Sequence, residues 1–272
     1  MTASSEVGLF VVDAFTSRPL AGNPAAVCVL REERPATWMQ GIAREMNLSE
    51  TAFVRRLGET WSLRWFTPRA EVPLCGHATL AAAKVLWQVG SAPRDEVLRF
   101  TTLSGELTAR CFGDEIELDF PARRGEPGEP PAELLRDFGV RPIAAFRSGG
   151  DGCRLDWVLV LESESEVREV RPDLTRWREP MAPSITVTAR STSEEQDFVS
   201  RFFAPGIGVD EDPVTGSIHC LLATFWAEKL ERRELRAYQA SERGGHLGLR
   251  LEGDRVHLSG EAVLVSYGVL VV

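Results

Sequence analysis

Residues 64–86 open with Arg64-Trp65-Phe66-Thr67-Pro68, cross a short acidic loop and reach Cys75-Gly76-His77 at the head of an apolar run. Residues 201–226 open with Arg201-Phe202-Phe203-Ala204-Pro205, cross a longer acidic loop and reach Thr215-Gly216-Ser217 at the head of another. Strand, turn, glycine and helix start thus come in the same order in each half. Repetition at this distance predicts two similar half-molecules. Each glycine falls where a helix begins, and free backbone N–H groups there can hold an anion. Two such helix ends facing each other would make one pocket.

The helices after the glycines are apolar on nearly every side. Ala78 to Val89 carries Lys84 and Gln88 as its long polar side chains, and Ile218 to Ala227 is interrupted by His219 and Thr224. A helix of that kind is surrounded by protein. The many short β runs supply the surroundings. The predicted class is α+β: two similar domains, each a curved, mostly antiparallel sheet wrapped around a central buried helix.

The Pro- and Gly-dense stretch 121–131 is the best domain boundary. The half-modules are then 1–122 and 123–261, with the last strand, 262–272, joining the first. Further expectations are strands at Val7–Val12, Ala25–Leu30, Thr51–Val54, 154–161, 184–189 and Val256–Val265. A helix begins at an N-cap Thr37, with Trp38, Met39, Ile42 and Met46 on one face. A short helix is expected near Ala132–Phe138.

The chain has 272 residues, enough for two domains of roughly 100–150 residues each. Its net charge of −9 argues against a nucleic-acid surface. No stretch approaches the ~20 apolar residues that span a bilayer. Met1–Glu6 lacks the basic-then-apolar pattern of an export signal, so a cytoplasmic protein is expected. The five cysteines, Cys28, Cys75, Cys111, Cys153 and Cys220, are scattered without a C-x-x-C pair. The four histidines, His77, His219, His246 and His257, make no H-x-x-x-H pair. No metal is expected on that basis, and the thiols are read as reduced.

Glu50 sits at the mouth of an apolar strand, where partial desolvation would suit a proton shuttle. The alternative is a solvated strand-end glutamate. His77, just after Gly76, could donate to a substrate oxygen or relay a proton; otherwise it is a capping or core histidine. Asp212 lies just ahead of Gly216 and either orients a partner such as His77 or caps local backbone. Gly216 and Ser217 offer N–H and hydroxyl donors to a carboxylate or phosphate. Asn23, in the Gly22-Asn23-Pro24 turn, either binds substrate or shapes the loop. Cys75 is read as small-residue packing. Gly206-Ile207-Gly208 lacks the context of a dinucleotide site, and Asn47-Leu48-Ser49 matches a glycosylation sequon without an export route.

Taken together, five stretches resemble the PhzF family, the phenazine-biosynthesis-like proteins that share the diaminopimelate epimerase fold. They are Val12-Asp13-Ala14-Phe15 with Leu20-Ala21-Gly22-Asn23-Pro24; Met46-Asn47-Leu48-Ser49-Glu50-Thr51; Arg64-Trp65-Phe66-Thr67-Pro68; Leu74-Cys75-Gly76-His77-Ala78-Thr79; and Glu211-Asp212-Pro213-Val214-Thr215-Gly216-Ser217. The resemblance runs over nearly the whole chain. It implies two α/β domains with a cleft between them, a cofactor-free isomerase and a homodimer. It places the family's proton-moving glutamate on Glu50, the accompanying histidine on His77, the aspartate on Asp212, and the glycine-serine pair on Gly216 and Ser217. Cys75, and Arg243-Gly244-Gly245-His246 in place of a Gly-Arg-Pro-Ser type motif, depart from the phenazine enzyme; they leave Glu50, His77 and Asp212 in place and leave the substrate open.

The reading that follows is an isomerase or epimerase acting on a small carboxylate-bearing metabolite, with Glu50, His77 and Asp212 in the chemistry and Asn23, Gly76, Gly216 and Ser217 binding substrate. The alternative is a small-molecule-binding or protein-interaction module without turnover. A cysteine hydrolase using Cys75 and His77 is the weakest reading, because flanking positions around a glycine are expected to point apart.

Overall fold

The structure, a computed structural model, describes residues 6–149 and 155–271. The expectations for Met1–Ser5, for Cys153 and for a strand beginning at 154 lie outside those residues. The chain divides into two compact units, 1–120 with 259–272, and 121–258.

The first unit runs β1 (Val7–Ala14), β2 (Asn23–Leu30), α1 (Ala36–Met46), β3 (Glu50–Leu57), β4 (Thr60–Phe66), β5 (Glu71–Val72), α2 (Gly76–Gln88), β6 (Leu98–Thr102), β7 (Gly105–Phe112) and β8 (Glu115–Pro121). The second continues with β9 (Glu126–Pro127), α3 (Ala132–Phe138), β10 (Ala144–Ser148), β11 (Asp156–Val160), α4 (Glu164–Glu169), β12 (Ser184–Arg190), β13 (Phe198–Ala204), β14 (Val209–Asp212), α5 (Gly216–Leu230), β15 (Glu234–Gln239) and β16 (Gly245–Glu252). The last strand, β17 (Arg255–Leu270), begins in the second unit and ends in the first.

The two units share one pairing scheme. In the first, β2 and β3 are parallel across α1, β4 and β6 are parallel across α2, and β1–β2, β3–β4, β6–β7 and β7–β8 are antiparallel. In the second, β11 and β12 are parallel across α4, β13 and β15 are parallel across α5, and β10–β11, β12–β13 and β15–β16 are antiparallel. A parallel neighbour needs a crossover, and in all four places that crossover contains a helix.

Both long helices are buried along nearly their whole length. α2 lies on β1, β2 and β3, and α5 lies on β15 and β16. Small residues make this close approach available: Ala78, Ala81, Ala82 and Ala83 of α2 are fully buried. Among the described residues no helix is long and apolar enough to cross a membrane.

Local departures from expectation have plain causes. Thr37 is inside α1 rather than its N-cap; Pro35 holds that position without a side-chain cap. Proline ahead of a helix fixes φ and needs no N–H, so a hydroxyl cap is not required. At the other end Asn47 adopts a left-handed conformation (φ 50°) and its N–H bonds the Ala43 carbonyl. Asparagine tolerates that region and closes the helix there, which gives Asn47 a structural role. Glu50 then opens β3 directly.

Candidate active site

Parallel pairing of β2 with β3 sets Glu50 beside Ala25, two positions from Asn23. The loop before Asn23 is shaped by Gly22, at φ 64°, where a Cβ would run into the Ala14 carbonyl. The Leu20 N–H donates to Asp13 Oδ2 at 2.7 Å and ties the same loop to β1. The start of α2 brings Cys75 and His77 to this point.

Four side chains meet there. Asn23 Nδ2 lies 3.2 Å from His77 Nδ1. Cys75 Sγ lies 3.6 Å from the same nitrogen. His77 Nε2 lies 3.3 Å from Glu50 Oε2, with the His77 side chain 5% and the Glu50 side chain 16% exposed. The buried Nε2 makes no hydrogen bond among the described residues. Burial pushes the imidazole down to about 3, so the ring is neutral at neutral pH. With Nδ1 accepting from the Asn23 amide, the proton sits on Nε2 and faces Glu50.

The expectation that Cys75 and His77 point apart is corrected here. Cys75 is in extended conformation at the N-cap (φ −149°, ψ 114°), so its side chain leaves at an angle that no helical residue has. The spacing rules for helix faces do not reach a cap residue. The expectation of no metal used local spacing alone. Glu50, Cys75 and His77 each offer a ligand atom, all within 4.8 Å of one another. Carboxylate, thiolate and imidazole form a donor set that zinc accepts.

In the second unit Asp212, Thr215, Gly216 and Ser217 form the corresponding helix start. The Thr215 hydroxyl donates to Asp212 Oδ2. The Thr215 N–H donates to Gln239 Oε1 at 2.9 Å, and Gln239 Nε2 donates to the Asp212 carbonyl at 2.7 Å. Gln239 is fully buried and clamps the turn. Gly216 is buried and Ser217 is half-buried. His219, one turn into α5, sits 2.7 Å from the Thr215 carbonyl through Nδ1 and 3.2 Å from Ser200 Oγ through Nε2.

Ahead of each helix start stands an arginine–glutamate pair that sequence reasoning missed. Arg64 meets Glu71 through Nε–Oε1 and Nη2–Oε2, both 2.7 Å. Arg201 meets Glu211 through the same atoms at 2.7 and 2.9 Å. Each guanidinium also lies over a phenylalanine of its own strand, Arg64 over Phe66 at 5.2 Å and Arg201 over Phe203 at 5.0 Å. The signal was present as Glu71-Val72-Pro73-Leu74-Cys75-Gly76 against Glu211-Asp212-Pro213-Val214-Thr215-Gly216, which align without a gap. Gln239 had no local signal, since it reaches the turn from β15.

The family model for phenazine biosynthesis-like proteins matches residues 12–268. The chain belongs to the phenazine biosynthesis-like family. An uncharacterized isomerase of Halalkalibacterium halodurans is 48% identical over 258 residues, covering 94% of this chain and 96% of that one. A crystal structure of a family member from Enterococcus faecalis superposes with a TM-score of 0.90 at 39% identity, covering 97% of this chain and 99% of that one. A hydroxyproline epimerase from Agrobacterium vitis, covering 98% of this chain and 91% of that one, has a TM-score of 0.65 at 10% identity, a likeness of fold alone. The family thus carries a sheet-rich, epimerase-like fold, and a relative of this chain is named an isomerase.

Proposed function

We propose that this chain is a cofactor-independent isomerase that moves a proton on a small carboxylate-bearing metabolite, with Glu50 as both acid and base. The observation that carries the reading is the buried Nε2 of His77, which faces Glu50 and lacks a hydrogen-bond partner among the described residues. An unsatisfied buried donor costs about 1–3 kcal/mol. A substrate oxygen in hydrogen-bond reach of Nε2 relieves that cost and places its neighbouring carbon beside the Glu50 carboxylate.

The steps then follow. The first-turn N–H groups of α2, at Gly76, His77 and Ala78, hold the substrate carboxylate, with the helix dipole favouring the negative charge. Glu50 removes a proton from carbon, becomes the neutral acid and returns the proton at another position. His77, held in one tautomer by Asn23, donates from Nε2 to the oxygen on which charge grows. Asp212, Gly216 and Ser217 are assigned a share in the same reaction on the strength of their equivalent place at the start of α5. Positioned acid–base groups of this kind supply ~10²–10⁴-fold in rate.

A cysteine–histidine hydrolase is the second reading that the geometry raises, because Cys75, His77 and Glu50 stand in the order of a nucleophile, a base and an orienting acid. Asn23 argues against it, since its amide occupies the lone pair on Nδ1 that would have to accept the thiol proton. The deciding experiment follows exchange of solvent deuterium into small cyclic amino acids and enamines that bind the protein. Glu50→Gln is expected to keep binding and abolish exchange. Unchanged exchange in that variant removes Glu50 from its role. Bound ligands with no exchange in the wild type favour a binding module.

A further inference from the structure

Among the described residues Cys28, Cys75 and Cys220 are buried and Cys111 is half-exposed. Burial pushes the Cys28 and Cys220 thiols up to about 12 and leaves them inert near neutral pH. Cys111 lies on β7 opposite Ile116 of β8, just ahead of the hairpin turn Gly113-Asp114. Arg94 Nη2 donates to its sulfur at 3.2 Å and to the Gly113 carbonyl at 2.5 Å. The turn thus holds a guanidinium against the thiol. Arg94 also approaches Asp114 at 3.8 Å, but the Asp114 side chain is 83% exposed and water screens that pair.

Arg94 and Cys111 line a recess of about 230 Å³ together with Lys84, Trp87 and Gln88 from the end of α2. Trp87 is 7% exposed, and its indole N–H makes no hydrogen bond among the described residues. A buried donor without an acceptor is costly, so an occupant that brings an acceptor oxygen is favoured. Two cations lining one recess repel a metal ion and attract an anion. We propose that Cys111 forms a mixed disulfide with a small, carboxylate-bearing disulfide that this recess recognises. The Cys111 thiolate attacks one sulfur of the incoming disulfide. A new S–S bond forms, the old one breaks, and the other half leaves as a thiolate that takes up the proton lost from Cys111. One thiol is consumed and one is released, so the incoming disulfide supplies the oxidation. The carboxylate of the half that stays meets Arg94 and Lys84, with the Trp87 N–H as a further donor. The site shares no residue with the Glu50 cluster and stands independently of the isomerase reading.

Peptide mapping of the folded full chain gives the rate of modification at Cys111 by oxidised glutathione, which is anionic, and by cystamine, which is cationic. Dividing each rate by that for Cys111 in the urea-unfolded chain removes the intrinsic reactivity of the probe. The normalised rate is expected to be at least about tenfold higher for oxidised glutathione, the lower end of what charge focusing gives. Added salt is expected to shrink the difference. Arg94→Gln removes the charge facing the sulfur and is expected to abolish most of the preference. Trp87→Phe keeps a ring in the recess without its N–H, and is expected to lower the glutathione rate several-fold while leaving the cystamine rate unchanged. Equal normalised rates for the two probes overturn the proposal. So does a Cys111 that oxidised glutathione leaves unmodified in the folded chain, or a preference that survives both variants.

Discussion

Glu50 Oε2 stands 3.3 Å from the protonated Nε2 of a histidine that burial keeps neutral. A neutral imidazole donates without adding a positive charge beside Glu50. The tautomer depends on Asn23, whose amide donates to the other ring nitrogen. Asn23→Ala frees the ring to carry its proton on Nδ1 and to present a lone pair to the substrate oxygen. The expected result is a loss of about tenfold to a hundredfold in kcat, the scale on which a hydrogen-bond partner that orients a functional histidine acts, with KM changed less. Steady-state rates of exchange, set beside ligand binding, check this.

The thiol is a bystander in the isomerase reading, and its contact with His77 makes that testable. Cys75→Ala is expected to retain exchange within a few-fold of the wild type. It is also expected to change the response to zinc. Zinc should inhibit the wild type by engaging Glu50, Cys75 and His77 together, and a chelator should restore activity. With Cys75→Ala the set loses its sulfur donor, and higher zinc is needed for the same inhibition. Inhibition curves with and without chelator give the comparison, and complete loss of activity in Cys75→Ala would return the hydrolase reading to first place.

Two buried neutral histidines set an acid limit on stability. Burial lowers His77 to about 3 and His219 to about 4, from 6.5 for a free ring. Below 6.5 the unfolded chain takes up protons that the folded chain refuses. Stability is therefore full above that pH and is lost as pH falls toward the folded values, each ring adding a slope of about 1.4 kcal/mol per pH unit at most. Urea midpoints at pH 7 and pH 5 are expected to differ accordingly. His219→Asn is expected to flatten the difference, because asparagine keeps polar contacts near Ser200 and Thr215 without titrating. An unchanged pH dependence in that variant would assign the acid lability elsewhere.

The sequence carried the duplication because two helix starts and their glycines are local features, and it carried Glu50 and His77 because each sits at the mouth of a regular element. What it withheld was contact across elements. Asn23 and His77 are 54 positions apart and meet only because α2 packs on β2. Cys75 and His77 are near in sequence, yet their contact depends on the extended backbone of a cap residue. Arg64 begins the repeated passage and Glu71 lies in its acidic loop, and a charge beside a loop usually faces solvent, which hides such a pair in the sequence.

The duplicated arginine–glutamate pairs are expected to matter more for folding than their exposed counterparts. Arg201 is buried, is held by Glu211 at two points and donates to the Val170 carbonyl at 2.7 Å. Glu211→Ala leaves that guanidinium short of its anion, at an expected cost of about 2–4 kcal/mol. The pair of Arg99 and Glu106 is half exposed on both sides, and Glu106→Ala is expected to cost under about 1 kcal/mol. Equal urea midpoints for the two variants would show that burial of the pair contributes nothing.

Gln239 gives the last prediction, because it separates order in the helix start from stability of the core. Its amide clamps the turn through the Thr215 N–H and the Asp212 carbonyl, and a third contact at 3.3 Å reaches Thr215 Oγ1. Gln239→Glu keeps the acceptor and, when ionised, removes the donor; Gln239→Leu removes both in a similar volume. If the clamp positions Asp212 and Gly216 for the reaction, Gln239→Leu weakens substrate binding by about tenfold, the worth of roughly one neutral hydrogen bond. Gln239→Glu is then expected to fall between that variant and the wild type. Both effects should appear in KM and ligand affinity at temperatures where the variants remain folded. A loss confined to thermal stability, with affinity untouched, would make Gln239 a core hydrogen bond and remove the α5 start from substrate binding.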